Sequence, residues 1–280
     1  MKSMAIGLLH PGEMGVSVGA SAKAGGHKVY WASEGRSAET HRRAQKAELQ
    51  ELKSLRELCD RVEVILSVCP PHAAEDVLHT VVNTGFQGIF LDANAISPQK
   101  SVRMAAFCDS NGVSYVDGGI VGGPAWEPDS TFLFLCGDQQ EAIAKLFAEG
   151  LLETHLLGDK IGRASALKVC FAAYSKGSTA LISMILAGAE SLGVRQDLMN
   201  LWSHDGSEFA EQAERRARRV TRKAWRFAGE MNEIADTFSG QGLPGGFHQA
   251  SRLIYTRMSH LKESEELPSI EEVVRALLAD

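Results

Sequence analysis

The chain has 280 residues, and at roughly 150 residues per domain its length suggests about two domains. Its 29 basic and 35 acidic side chains leave a formal charge of −6 and a pI near 5.9, which argues against a general nucleic-acid binder. With 44% apolar and 23% charged residues, the composition excludes wholesale disorder, and a chain this long can bury a large core without disulfides or a structural metal.

Met4–Leu9 is a short apolar run without polar alternation, which predicts a strand buried on both faces. A glycine-bearing turn follows, and Val16–Ala24 reads as a helix stopped by Gly25 and Gly26. His27–Trp31 is the second strand, and Arg61–Val68 is the third, ended by Pro70 and Pro71. Ala73–Val82 reads as a helix and Gly88–Asp92 as the fourth strand. Ser97 and Pro98 open the next helix as cap residue and first-position proline. Val113–Asp117 and Thr131–Cys136 are the fifth and sixth strands. This alternation predicts βαβ units and a doubly wound parallel sheet over residues 1–160.

From Gly162 onward the strand signal disappears. Ala164–Leu192 reads as one long helix, apolar almost all round, the pattern of a helix buried in a bundle or a subunit interface. Further helices are predicted over 208–238 and 246–261, separated by a loop rich in glycine from Gly240 to Gly246. A last helix carries a capping box, Ser269 with Glu272. Residues 161–280 therefore form an all-α domain that buries the long helix by homodimerisation.

The five cysteines are odd in number and lack any C-x-x-C pair, so reduced thiols in a cytoplasmic protein are expected. His10, His72 and His248 show no metal-ligand spacing, and no metal is expected. No apolar run reaches the roughly 18 residues of a membrane span without polar interruption, so no membrane partner is expected.

The first strand–helix turn reads Gly7-Leu-Leu-His10-Pro11-Gly12-Glu13-Met14-Gly15. A Rossmann-type dinucleotide fold uses G-x-G-x-x-G here: one glycine for the turn, one for the pyrophosphate's approach, one for helix–strand packing. Gly12 and Gly15 fill the second and third places, and His10 takes the first. The alternative is an ordinary strand–turn–helix. The second strand runs into Ser33-Glu34-Gly35-Arg36-Ser37. Glu34 suits the ribose diol of NAD, whereas Arg36 with Ser33 and Ser37 suits the 2′-phosphate of NADP, the preferred reading.

Together with that turn, Val68-Cys69-Pro70-Pro71, Asp92-Ala-Asn94-Ala-Ile-Ser97-Pro98, the segment from Asp117 to Gly123, and Gly162 to Lys168 fall in the order seen in the β-hydroxyacid dehydrogenases. The chain resembles that superfamily over nearly its whole length, most closely the phosphogluconate-dehydrogenase-like branch; 3-hydroxyisobutyrate dehydrogenases and imine reductases are relatives. The resemblance implies that Val68, Cys69, Pro70 and Asn94 border the cofactor. It implies a substrate loop at Asp117, Gly118, Gly119, Val121, Gly122 and Gly123, with Val121 in place of the family's serine. Lys168 takes the place of the family's general acid/base lysine, and Ala172 that of an asparagine four residues on. On apolar surroundings alone, the Lys168 pKa is expected to fall.

Helical periodicity puts Ala172, Ser175 and Thr179 on the Lys168 face, with Lys176 about 80° away. Ser175 is a candidate substrate contact, as are Glu230 and Asn232, which occupy a helix that in the family faces the active site. The function implied is NADP-dependent hydride transfer to or from a small hydroxyacid or polyol acid. Imine reduction on the same scaffold and non-catalytic NADP(H) sensing are the alternatives.

Overall fold

The computed structural model describes residues 3–264 and 266–279. Contacts divide the chain into two compact units, Met1–Val169 and Cys170–Asp280.

Among the described residues of the first unit, eight strands form one sheet in the order β3-β2-β1-β4-β5-β6-β7-β8. They are β1 (Ala5–Leu8), β2 (Lys28–Ala32), β3 (Gln50–Leu52), β4 (Val64–Ser67), β5 (Ile89–Asp92), β6 (Ser114–Gly122), β7 (Thr131–Cys136) and β8 (Glu153–Leu156). All neighbours pair in parallel except β6 and β7. The predicted doubly wound sheet is present, and β3 and β8 extend it. Neither edge strand stood out in the sequence: Gln50–Leu52 is three residues long, and Glu153–Leu156 is nowhere fully buried, so neither carries an apolar run.

The strands' period of two divides the core. Ile6, Leu8, Val64, Leu66 and Val116 pack on one face. Ile65, Phe90 and Tyr115, the alternating residues, pack on the other. Helices α1 (Glu13–Ala24), α2 (Ala38–Lys46), α3 (Leu55–Arg61), α4 (Ala74–Val82), α5 (Pro98–Ser110) and α6 (Gln140–Lys145) connect the strands. Burial on both faces explains why the inner strands read as continuous apolar runs.

The long predicted helix is α7 (Arg163–Ser191), and it runs across the division between the units. By length and composition alone it could cross a bilayer, but it carries Lys168 and Lys176. The second unit continues with α8 (Arg195–Trp202), α9 (Phe209–Val220), α10 (Ala224–Ser239), α11 (Gly246–Met258) and α12 (Ile270–Leu278). The single helix predicted over 208–238 is broken by a 3₁₀ turn at Thr221–Lys223. There the buried Thr221 hydroxyl donates back to the Arg218 carbonyl (2.7 Å), and Lys223 leaves helical geometry at φ −119°. The capping box before α12 forms as predicted: Glu272 N–H donates to Ser269 Oγ (3.2 Å), and Ser269 N–H donates to Glu272 Oε2 (2.7 Å).

Candidate active site

In the sheet unit, β1 lies between β2 and β4, so the connections leave β1 in opposite directions and open a crevice beyond the strands' carboxyl ends. The glycine turn occupies this switch point. Gly12 donates its N–H to the His10 carbonyl (2.8 Å) and precedes the first turn of α1, whose N–H groups lack intrahelical partners. A β-carbon on Gly15 would lie 2.1 Å from the His10 carbonyl oxygen, so only glycine permits this packing. A β-carbon on Gly12 would meet nothing within 4 Å, which leaves the space in front of it open. Arg43 of α2 steadies the turn by donating Nε to the Pro11 carbonyl (3.1 Å). Sequence reading missed Arg43, because a basic residue on an amphipathic helix carries no mark of its target.

A cleft of about 240 Å³ adjoins the turn, lined in part by His10, Ala32, Glu34 and Arg36. Gly35 at φ 70° turns the chain here, and Arg36 N–H donates to the Ser33 carbonyl (3.1 Å). His10 Nδ1 and Arg36 Nε are buried without a hydrogen-bond partner among the described residues. Burial, reinforced by the Arg36 guanidinium, lowers the His10 pKa to about 4, so the imidazole is neutral at physiological pH. Two buried polar groups lacking partners at the mouth of a dinucleotide-type turn fit the polar edge of a bound nucleotide. Ser37 caps α2 by accepting from Thr40 N–H (3.2 Å) but stays exposed, as do Glu13 and Glu34.

Beyond β4 and β5, Asn94 sits at the carboxyl end of the sheet, held by partners within the protein. Its amide donates to Ser67 Oγ (3.1 Å) and Asp92 Oδ2 (2.8 Å), its oxygen accepts from Cys69 N–H, and it is 2% exposed. Asn94 therefore holds the turn at Val68, Cys69 and Pro70, which is itself half-buried. Burial raises Asp92 to about 7 against the opposing effect of its bonds from Asn94.

The segment expected as a substrate loop, Asp117 to Gly123, lies largely within a strand. β6 runs on through Gly122 and pairs antiparallel with β7, Gly118 opposite Leu135 and Gly122 opposite Thr131, which ties up alternate backbone groups. Val121 is half-buried, whereas Gly123, beyond the strand, is exposed. Asp117 is buried completely and faces inward. Its Oδ2 accepts from Gly162 N–H (3.0 Å), Ser165 N–H (3.2 Å) and Cys136 Sγ (3.2 Å), and Oδ1 accepts from the Ser165 hydroxyl (2.6 Å). A carboxylate from the sheet thus caps the start of α7, where orphan N–H groups and the positive dipole end favour an anion. Gly162 sits at φ 93°, a conformation that favours glycine.

That cap positions Lys168. A β-carbon on Gly119 would lie 2.7 Å from the Ala164 carbonyl oxygen and 3.1 Å from Lys168 Cβ. Gly119 is two residues past Asp117, which pairs with Asp92 at the carboxyl end of β5. Lys168 therefore starts at the sheet edge that carries the glycine turn and the Val68–Pro70 turn. The side chain is half-buried rather than enclosed.

In the helical unit, Glu230 of α10 is buried and paired with Lys176 of α7, whose Nζ lies 4.4 Å from the Phe227 ring centroid. Tyr255 donates to the Lys176 carbonyl (2.6 Å). Glu230 and Asn232 do not converge: residues two apart on a helix project about 200° apart, and Asn232 is exposed. The Ser175 hydroxyl donates to the Phe171 carbonyl (3.0 Å) within α7.

The family model for the NAD binding domain of 6-phosphogluconate dehydrogenase matches residues 5–153, and a domain of unknown function, DUF1932, matches residues 189–258. An uncharacterised 28.5 kDa protein of Methanothermus fervidus is 24% identical over 179 residues, which is 64% of this chain and 68% of that protein. The structure of 3-hydroxyisobutyrate dehydrogenase from Mycobacterium tuberculosis, with L-serine, aligns at a TM-score of 0.72 and 17% identity over 99% of this chain and 100% of that one. An imine reductase from Streptomyces aurantiacus aligns at a TM-score of 0.54 and 16% identity over 98% of this chain and 100% of that one.

Proposed function

The chain belongs to the β-hydroxyacid dehydrogenase superfamily, whose dehydrogenases and reductases use a nicotinamide cofactor, and from that premise we propose an NADP-dependent oxidoreductase acting on a small hydroxyacid or polyol acid. The bound nicotinamide supplies the hydride acceptor or donor. Lys168 supplies the proton exchange with the substrate oxygen, as general acid in reduction and general base in oxidation. The observation that carries this reading is the seat of Lys168, half-buried against Gly119 at the sheet's carboxyl edge on a helix capped by Asp117. Arg36 would hold the 2′-phosphate, and its unpartnered Nε supports that assignment over a ribose contact by the exposed Glu34.

Imine reduction is a second reading, favoured by Val121 in the family's serine place and Ala172 in its asparagine place. The retained Lys168 weighs against it. Titration with NADPH and NADH, followed by a panel of hydroxyacids and cyclic imines monitored by nicotinamide absorbance, decides between them. Turnover is expected with hydroxyacids, and Arg36→Ala should weaken NADPH by about tenfold or more while leaving NADH little changed. Turnover of imines alone would replace the first reading by the second, and equal losses for both cofactors would remove the NADP assignment.

The helical unit also supports a homodimer. Phe171, Tyr174, Leu181 and Met184 lie along one side of α7 and are 50%, 77%, 38% and 46% exposed. A second copy, presenting the same stripe, would cover them. Sedimentation should give a dimer; a monomer at every concentration would refute this.

A further inference from the structure

A groove of about 660 Å³ opens in the helical unit, against about 240 Å³ for the cleft beside His10. Arg215, Arg216, Arg219, Arg222 and Lys223 line it, contributed by α9 and the 3₁₀ turn that follows. Successive helical turns bring 215, 219 and 222–223 to one face, with 216 beside them. Among the described residues that line the groove none is acidic. The concentration does not follow from overall basicity, since the whole chain carries −6.

The geometry of individual cations sharpens the point. Arg218 belongs to the same run but turns away, donating Nε to the Pro268 carbonyl (2.8 Å). Arg215 shares its charge with Glu211 (3.2 Å). Arg216 is held by neutral oxygens: Nη2 donates to Ser178 Oγ (2.6 Å), Thr179 Oγ1 (2.8 Å) and the Ser175 carbonyl (3.3 Å), and Nε donates to Thr179 Oγ1 (3.2 Å). Those bonds orient a guanidinium without neutralising it, which leaves its charge for an anion. The acids that α9 carries do not line the groove: Glu211 pairs with Arg215, and Glu214 lies 3.9 Å from Arg195.

From residue 215 to residue 223 the cations extend about 12 Å at 1.5 Å per residue, more than a single phosphate covers. Val220, Phe227 and Leu267 add an apolar wall. We propose that this groove is a second ligand site, distinct from the glycine turn, and that it takes a small organic polyphosphate: two or more phosphoryl groups along the arginine row and an apolar or aromatic body against Phe227. The assignment stands independently of the substrate and cofactor chosen for the sheet unit.

Calorimetric titration of the full-length protein tests it, with inorganic tripolyphosphate, ATP and orthophosphate as probes, in the presence and absence of saturating NADPH. Tripolyphosphate should bind once per chain whether or not NADPH is present, at least tenfold more tightly than orthophosphate, and ATP should bind more tightly still. Arg219→Glu with Arg222→Glu, both at exposed positions, should weaken tripolyphosphate at least tenfold and leave NADPH affinity and circular dichroism unchanged. Tripolyphosphate binding that NADPH abolishes, or that survives the double charge reversal, would overturn the site. Equal affinity for orthophosphate would overturn its polyphosphate character, and ATP binding no more tightly than tripolyphosphate would overturn the organic body. The charge-reversal comparison needs no cofactor, so it remains decisive if the oxidoreductase reading fails.

Discussion

Lys168→Met is expected to lower kcat by about 10²–10⁴-fold, the range for losing a positioned general acid or base, with NADPH affinity essentially unchanged. Methionine keeps the unbranched stem that packs past Gly119 and removes the group that exchanges a proton. Lys168→Arg should be nearly as inactive, because a guanidinium holds its proton throughout the working pH range. Steady-state turnover paired with a cofactor titration separates the two effects. Full activity in Lys168→Met would end the assignment; a parallel loss of NADPH binding would make the lysine a cofactor contact instead.

Asp117→Ala should destabilise the protein by about 2–5 kcal/mol, because it leaves the buried Gly162 and Ser165 N–H groups without their acceptor. The same carboxylate orients the first turns of α7, so kcat should also fall in whatever fraction stays folded. NADPH affinity should hold, since the glycine turn lies on another part of the sheet edge. Asp117 is thus a positioning residue. Denaturant unfolding with kcat and cofactor affinity measured on the folded protein checks all three. An unchanged midpoint would show that the cap contributes nothing, and normal kcat in a destabilised variant would uncouple it from Lys168.

Much of the architecture is legible from local pattern. Buried parallel strands such as β4 and β5 are continuous apolar runs, and the glycines, Pro98 and the Ser269–Glu272 box punctuate the chain by known backbone preferences. The short edge strands β3 and β8 escape because strand pairing there replaces hydrophobic burial as the signal. The break between α9 and α10 escapes because helical propensity is continuous across Val220–Ala224, and a 3₁₀ turn that opens on the buried Thr221 leaves no mark in the local pattern.

The candidate site divides along the same line. Residue type and order point to the glycine turn and Arg36, because a turn that must admit a phosphate is a local chemical fact, whereas Lys168 stands out only through the family resemblance, a lone lysine on an apolar helix being as readily one that reaches back to solvent. Only the tertiary structure reveals that Asp117 caps α7, that Asn94 holds the turn after β4, and that Glu230 is matched by Lys176. Each of these polar side chains reads in sequence as a group awaiting a ligand. In the folded chain its partner comes from a segment 25 to 54 residues away, and burial makes that partner obligatory.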